Sequence, residues 1–189
     1  MSLLQKAIEQ TLYILEKGGI ILYPTDTIWG IGCDATNAGA INEIYKLKKR
    51  EEKKSMIILV AEKDMIKNYV SNPSPKILSY LSVQQKPTTA IFKNAINLPH
   101  QLISEGGSVA IRIVNDPFCQ EIINRLKKPL VSTSANISGE IYPANFSKVS
   151  DEIKNGVDFI VPHRQDEMNL YSPSSIIMLN EEDEIINIR

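Results

Sequence analysis

Cysteine, histidine and tryptophan are scarce in this 189-residue chain, which has only Cys33, Cys119, His100, His163 and Trp29. Two cysteines are too few for a disulfide framework or a self-contained metal site, and both read as small buried hydrophobes. Neither histidine sits in a recognisable motif, so metal-hydrolase and Ser-His-Asp readings have nothing to rest on. No apolar run reaches the ~20 residues that span a bilayer. The N-terminus, Met1 to Lys6, lacks the basic and long apolar stretches of a signal peptide. The cytoplasm is the expected compartment, with no membrane partner. Neither a Walker A loop nor a GxGxxG fingerprint occurs.

What is present is an ordinary globular composition. Apolar residues make up 43% and charged residues 23%, close to soluble averages. The length suits one domain over residues 1–189 and can bury a core without staples. The net charge of −1 hides an asymmetry. Residues 151–189 hold nine acidic and three basic side chains, leaving +5 on residues 1–150. Much of that excess lies in Lys46, Lys48, Lys49, Arg50, Lys53 and Lys54. Such a cluster suits an anionic partner. On charge alone a solvated helix end, where cations meet the helix dipole, is the better reading.

Hydrophobic periodicity alternates between helix and strand. Leu4, Ala7, Ile8, Thr11, Leu12 and Leu15 predict a helix stopped by Gly18-Gly19. Ile20–Tyr23 reads as a buried strand. Asn37 caps a helix carrying Ile41, Ile44, Tyr45 and Lys48. Met56–Val60 is a second buried strand, and Ser74-Pro75 opens another helix. Strands follow at Thr88–Phe92 and Ser108–Val114, then a helix after Asp116-Pro117. Pro129–Thr133 reads as a strand, 147–155 as a helix and Val157–Val161 as a strand. Ser175–Leu179 and Glu184–Ile188 form a terminal hairpin. The alternation predicts α/β with a mixed, partly parallel sheet.

Polar residues gather where the strands end, the ligand side of open α/β sheets. Tyr23-Pro24-Thr25-Asp26-Thr27 is followed by Gly30 and Gly32. By itself this segment reads equally as a binding loop or as a turn built on Thr and Asx hydrogen bonds. Lys48, Arg50 and Lys54 offer point charges and a fork suited to phosphate oxygens. Ser132-Thr133-Ser134-Ala135-Asn136-Ile137-Ser138-Gly139 follows a core strand directly. Its hydroxyls and amide are costly to bury unpaired, which favours a functional reading over a purely structural one.

Together these segments carry a resemblance. Tyr23-Pro24-Thr25-Asp26-Thr27 with Gly30, Lys48-x-Arg50, Ser108-Val109-Ala110-Ile111-Arg112 and Ser134-x-Asn136 occur in the order and spacing of the YrdC-like threonylcarbamoyl-AMP synthases. The chain is similar to the short form of that family, from Gly19 to Arg189. The resemblance implies a twisted mixed α/β sheet with helices on its faces and a concave, positively lined cavity. It implies condensation of L-threonine, bicarbonate and ATP into threonylcarbamoyl-AMP, with release of pyrophosphate. A downstream threonylcarbamoyl transferase would use that product to make N6-threonylcarbamoyladenosine at position 37 of tRNA. Direct contact with tRNA is a further expectation. Magnesium would arrive with ATP, and no protein metal ligand is expected.

By the same resemblance, Thr27, Arg112, Ser132 and Ser174 would bind threonine. Lys48, Arg50, Lys54, Ser108, Ser134, Asn136, Tyr142 and Arg189 would bind ATP, with Lys48 and Arg50 catalytic. Ser134 and Asn136 would face phosphates, and Lys48 and Arg50 would be partly exposed in the cavity. Four positions depart from the family pattern: Glu51, Ser55, Leu59 and Pro173. Leu59 replaces a histidine of longer relatives and would line an apolar pocket for the threonine methyl. These departures bear on substrate more than on fold. Two other readings stand beside this one. They are an RNA-binding module of the same fold, disfavoured by the pI of about 6.2, and a paralogue making a related carbamoyl-adenylate.

Overall fold

In the computed structural model, which describes residues 2–51 and 56–189, α1 (Leu3–Glu16) starts at an N-cap formed by the Ser2 side chain. Its apolar stripe of Ala7, Ile8, Leu12 and Leu15 is buried. The chain then enters β1 (Ile21–Tyr23) and turns into β2 (Gly30–Gly32). The α2 helix (Ala38–Leu47) begins where the Asn37 side chain accepts from Ala40 N–H. Next come β3 (Ile57–Val60), a 3-10 turn at Lys63–Asn68 and α3 (Pro75–Val83). Strands β4 (Thr88–Phe92) and β5 (Val109–Ile113) precede α4 (Pro117–Leu126). The remaining elements are β6 (Leu130–Ser134), α5 (Asp151–Asn155), β7 (Phe159–Ile160), β8 (Ser175–Leu179) and β9 (Ile185–Asn187).

The strands form one sheet in the order β7-β1-β2-β6-β3-β5-β4-β8-β9. The pairs β1–β7, β3–β5 and β4–β8 are parallel, and the other neighbours are antiparallel. The mixed α/β sheet and the β8–β9 hairpin agree with expectation. Two elements differ from it. The helix expected over 147–155 is a 3-10 turn at Phe146–Lys148 followed by α5, which starts anew at the Ser150 cap. Strand β2 was not legible because two of its three residues are glycine, which carries no strand propensity. It forms because its flanks, β1 and β6, offer antiparallel partners.

Side chains alternate across each strand, so the sheet has two differently built faces. On one, Ile58, Val60, Val109, Ile111, Ala90 and Phe92 pack with Ile41, Ile44 and Tyr45 of α2 and Ile77 and Leu81 of α3. On the other, α1 and α4 cover only part of the surface. There Ile8, Leu12, Leu15, Phe118, Ile122 and Ile123 close over Ile21, Tyr23, Leu59 and Leu130. The uncovered remainder of this second face is where a cavity opens. Both cysteines are buried and free, as expected. Among the described residues, no helix is long and apolar enough to cross a membrane.

Candidate active site

Six strands line the cavity, with Gly30 from β2 and Ile176 from β8 beside four that contribute most of its floor. Ile57 comes from β3, Ile91 from β4, Ala110 and Arg112 from β5, and Ser132 and Ser134 from β6. Thr27 and Ile28 of the β1–β2 loop close one side, and Pro173, Ser174 and Arg189 another. Tyr142, which is 40% exposed, stands at the mouth. The cavity measures about 330 Å³ and is lined by Arg50, Arg112 and Arg189, with no acidic side chain among its described lining residues. It is concave and positive.

Local hydrogen bonds set the polar side chains. The Thr27 N–H donates to Thr25 Oγ1 at 3.0 Å, and the two threonine hydroxyls lie 2.9 Å apart. This is the local turn that such a Thr-rich segment favours. The loop is held from outside by Arg164, whose Nη1 donates to Thr25 O and to Asp116 Oδ2. The Asp116 Oδ1 meanwhile caps α4 at Cys119 N–H. Ser174 shares a 2.7 Å hydroxyl contact with Thr89, and its carbonyl accepts from Nε and Nη2 of Arg189. Arg164 and Thr89 have no signal in the sequence, because their partners are distant along the chain.

Arg112 is 3% exposed, and its Nη2 lies 3.0 Å from Asp26 Oδ1. Its Nε and Nη2 are buried without a hydrogen-bond partner. A guanidinium is a planar fork matched to a carboxylate. Thr27, Ser132 and Ser174 add hydroxyls to the same cavity, so these four residues offer the groups that suit a small polar acid. Met56, Ile57, Ile91 and Ile176 give the same cavity apolar walls.

The structure relocates several expected site residues. Lys48 is not partly exposed in the cavity but 1% exposed, at the C-cap of α2. Its Nζ donates to the carbonyls of Ser134 and Asn136, and its own carbonyl accepts from Ser138 N–H. Burial, and secondarily the nearby Arg50 charge, lower its pKa from 10.5 to about 7. Lys48 therefore pins the loop after β6 instead of lining the cavity. Arg50, two residues on, does line it, and burial lowers its pKa as well.

Asn136 is also committed. Its amide donates to Ile137 O and Glu140 O, leaving Oδ1 as a buried acceptor without a partner. An acceptor cannot bond a phosphate oxygen directly, but it can accept from a hydroxyl or from water on a cation. Ser108 lies with its hydroxyl 2.7 Å from Ser104 Oγ, in a neighbouring cavity of about 530 Å³ that meets the first at Ile91. Strand geometry separates it from Arg112 by four residues, about 13 Å. Leu59 does not line the pocket; it is fully buried beneath α4. Lys54 and Ser55 lie outside the described residues.

The same region offers few ligands to magnesium. Among the described residues, no group of three or more His, Cys, Asp or Glu could hold a metal. The described residues fit only a metal that brings its own ligands.

Comparison with known proteins agrees with this geometry. The threonylcarbamoyl-AMP synthase of Blochmanniella pennsylvanica is 31% identical over 165 residues, 86% of this chain and 84% of that protein. The enzyme of the same name from Vibrio parahaemolyticus is 34% identical over 134 residues, 69% of this chain and 72% of that one. The crystal structure of P. abyssi Sua5 complexed with L-threonine superposes with a TM-score of 0.85 at 20% identity, over 96% of this chain. This chain spans about half of that protein, 53%. E. coli YciO superposes with a TM-score of 0.78 at 23% identity, covering 98% of this chain and 89% of its own. The Sua5/YciO/YrdC family model, described as telomere recombination, matches residues 13–189. That match takes in every strand of the sheet and the whole arginine-lined cavity, and the chain belongs to the Sua5/YciO/YrdC family.

Proposed function

We infer that this protein is a threonylcarbamoyl-AMP synthase. The observation that carries the reading is the cavity itself. Three arginines and no described carboxylate line it, beside hydroxyls and an apolar wall. The names of the 31–34% identical relatives support the same activity.

In this reading threonine places its carboxylate on Arg112 and its polar groups near Thr27, Ser132 and Ser174. Its amine takes up bicarbonate to give N-carboxy-threonine and water. A carbamate oxygen attacks the α-phosphorus of ATP, the bond to the β-phosphate oxygen breaks, and pyrophosphate leaves. The obstacle is mutual repulsion of several anions. Arg50 and Arg189 offset it at fixed positions, so little reorganisation is needed as charge shifts. Holding both reactants in line supplies the rest. Ser134 and Tyr142 border the nucleotide. Lys48 acts by fixing the Ser134–Asn136 loop. Magnesium carried on the ATP phosphates would supply further charge neutralisation. No side-chain nucleophile is needed.

The product is a reactive mixed anhydride, and a tRNA-modifying threonylcarbamoyl transferase is its proposed consumer. The cytoplasm is the compartment proposed with it. Direct tRNA contact belongs to the same proposal. The test is pyrophosphate release with ATP, threonine and bicarbonate supplied or withheld in turn, with the product's mass measured. Release that requires all three, with a product of the mass of threonylcarbamoyl-AMP, is expected. Release with carbamoyl phosphate instead of threonine and bicarbonate would assign the carbamoyl-adenylate chemistry. No release under any combination would overturn the reading.

A further inference from the structure

Asp26 has no part in the steps above, yet it is placed against the residue that matters most for threonine. Its Oδ1 lies 3.0 Å from Arg112 Nη2, with the two side chains 9% and 4% exposed. Its Oδ2 accepts from the Asn115 N–H at 3.0 Å. Asn115 follows β5, the strand that carries Arg112. The carboxylate is therefore tied to that segment at two points, once through backbone and once through charge. Asp26 also borders a second cavity, of about 620 Å³, that includes Asn115, Lys63 and Lys86. Arg112 borders the first. The pair thus stands in the wall between the two.

The contact is close but not aligned. Asp26 Oδ1, Arg112 Nε and Arg112 Nη2 all lack a hydrogen-bond partner. Two buried charges at this distance attract strongly, and the ion pair engages the guanidinium through Nη2. A buried guanidinium without a counter-charge would be costly, and a counter-charge that used all its donors would block the substrate. Asp26 avoids both.

We propose that Asp26 is the positioning residue for Arg112: by its ion pair to Nη2 it holds the guanidinium in the orientation that receives the carboxylate of the amino-acid substrate. This inference rests on Arg112 as the threonine ligand. Asp26→Asn keeps the shape and an acceptor for Asn115 but removes the charge; Asp26→Ala removes both.

Threonine binding is measured by calorimetry without ATP, KM for threonine and for ATP by pyrophosphate release, and folding by thermal melting. A further readout does not depend on function: the rate at which phenylglyoxal modifies Arg112, mapped by mass spectrometry. In Asp26→Asn the threonine Kd and KM should rise about 10- to 100-fold, the cost of a misplaced binding group. The KM for ATP should stay within about two-fold, and Arg112 should be modified several-fold faster. Equal losses for threonine and ATP in the folded variant, or unchanged threonine affinity, would overturn the proposal. Should wild-type protein bind no threonine, the functional reading fails, and the modification rate still decides the positioning role. An unchanged rate would then refute it. If Asp26→Ala does not fold, Asp26→Asn carries every comparison.

Discussion

The carbonyl oxygen of Asn136 lies 2.6 Å from Lys48 Nζ, so one ammonium joins the end of α2 to the loop after β6. The Ser134 carbonyl accepts from the same nitrogen, and Ser138 N–H returns a bond to the Lys48 carbonyl. A basic residue expected among the substrate's anions is instead part of the framework that shapes their site. Its neighbour Arg50 stays at the cavity. The two therefore separate in their predicted effects.

Lys48→Met should lower both activity and stability. It leaves two carbonyls without their donor, a loss worth about 1–3 kcal/mol. Melting curves beside pyrophosphate release check this. An unchanged melting temperature would mean that the loop does not depend on the ammonium.

The same lysine gives a pH dependence with a definite sign. Unfolded, it holds its proton up to pH 10.5, but burial in the folded protein brings the pKa to about 7. Between those values the unfolded chain binds more protons, so this group makes stability rise with pH. The advantage is complete above about 10.5 and is lost as pH falls through about 7. Melting temperatures of wild type minus Lys48→Met should increase from pH 6.5 to 9. A flat difference would contradict the assignment.

Arg50→Ala should spare the fold and remove turnover. The residue lines the cavity, and a preorganised charge of this kind is commonly worth ~10²–10³ in rate. Pyrophosphate release should fall by that order with the melting temperature nearly unchanged. Near-normal turnover would remove Arg50 from the reaction.

Arg112→Lys should weaken threonine use more than ATP use. A single ammonium cannot reproduce the planar fork, and a hydrogen bond to a charged group is worth about 1.5–3 kcal/mol. Separate KM values for the two substrates decide it. Equal changes would place Arg112 on the wrong ligand.

Gly32→Ala should destabilise without touching the chemistry. An added Cβ would come within 2.3 Å of the Val131 carbonyl and 2.7 Å of the Tyr23 ring. The first is backbone of the neighbouring strand and cannot swing aside. Overpacking of this sort costs about 1–3 kcal/mol. The melting temperature should drop while KM values hold.

Much was determined by local sequence. Apolar periodicity placed α1 through α4, and the Asn37, Ser74 and Asp116 caps placed three of their starts, because caps and periodicity act within a few residues. Alternation and turn residues gave the β8–β9 hairpin, and the segments around Thr27, Arg50, Arg112 and Ser134 marked the loops and strands that meet at the cavity. Tertiary structure decided what periodicity cannot reach. It made a strand of Gly30–Gly32 by supplying partners on both sides, and it divided the helix expected over 147–155. It turned Lys48 inward, since only the fold brings two free carbonyls to the end of α2. It buried Leu59 under α4 and left Ile57, two residues earlier on the same face, only partly covered and at the cavity. It set Asp26 against Arg112, a pairing of opposite charges that lies in the contact between a loop and a strand and in neither segment alone.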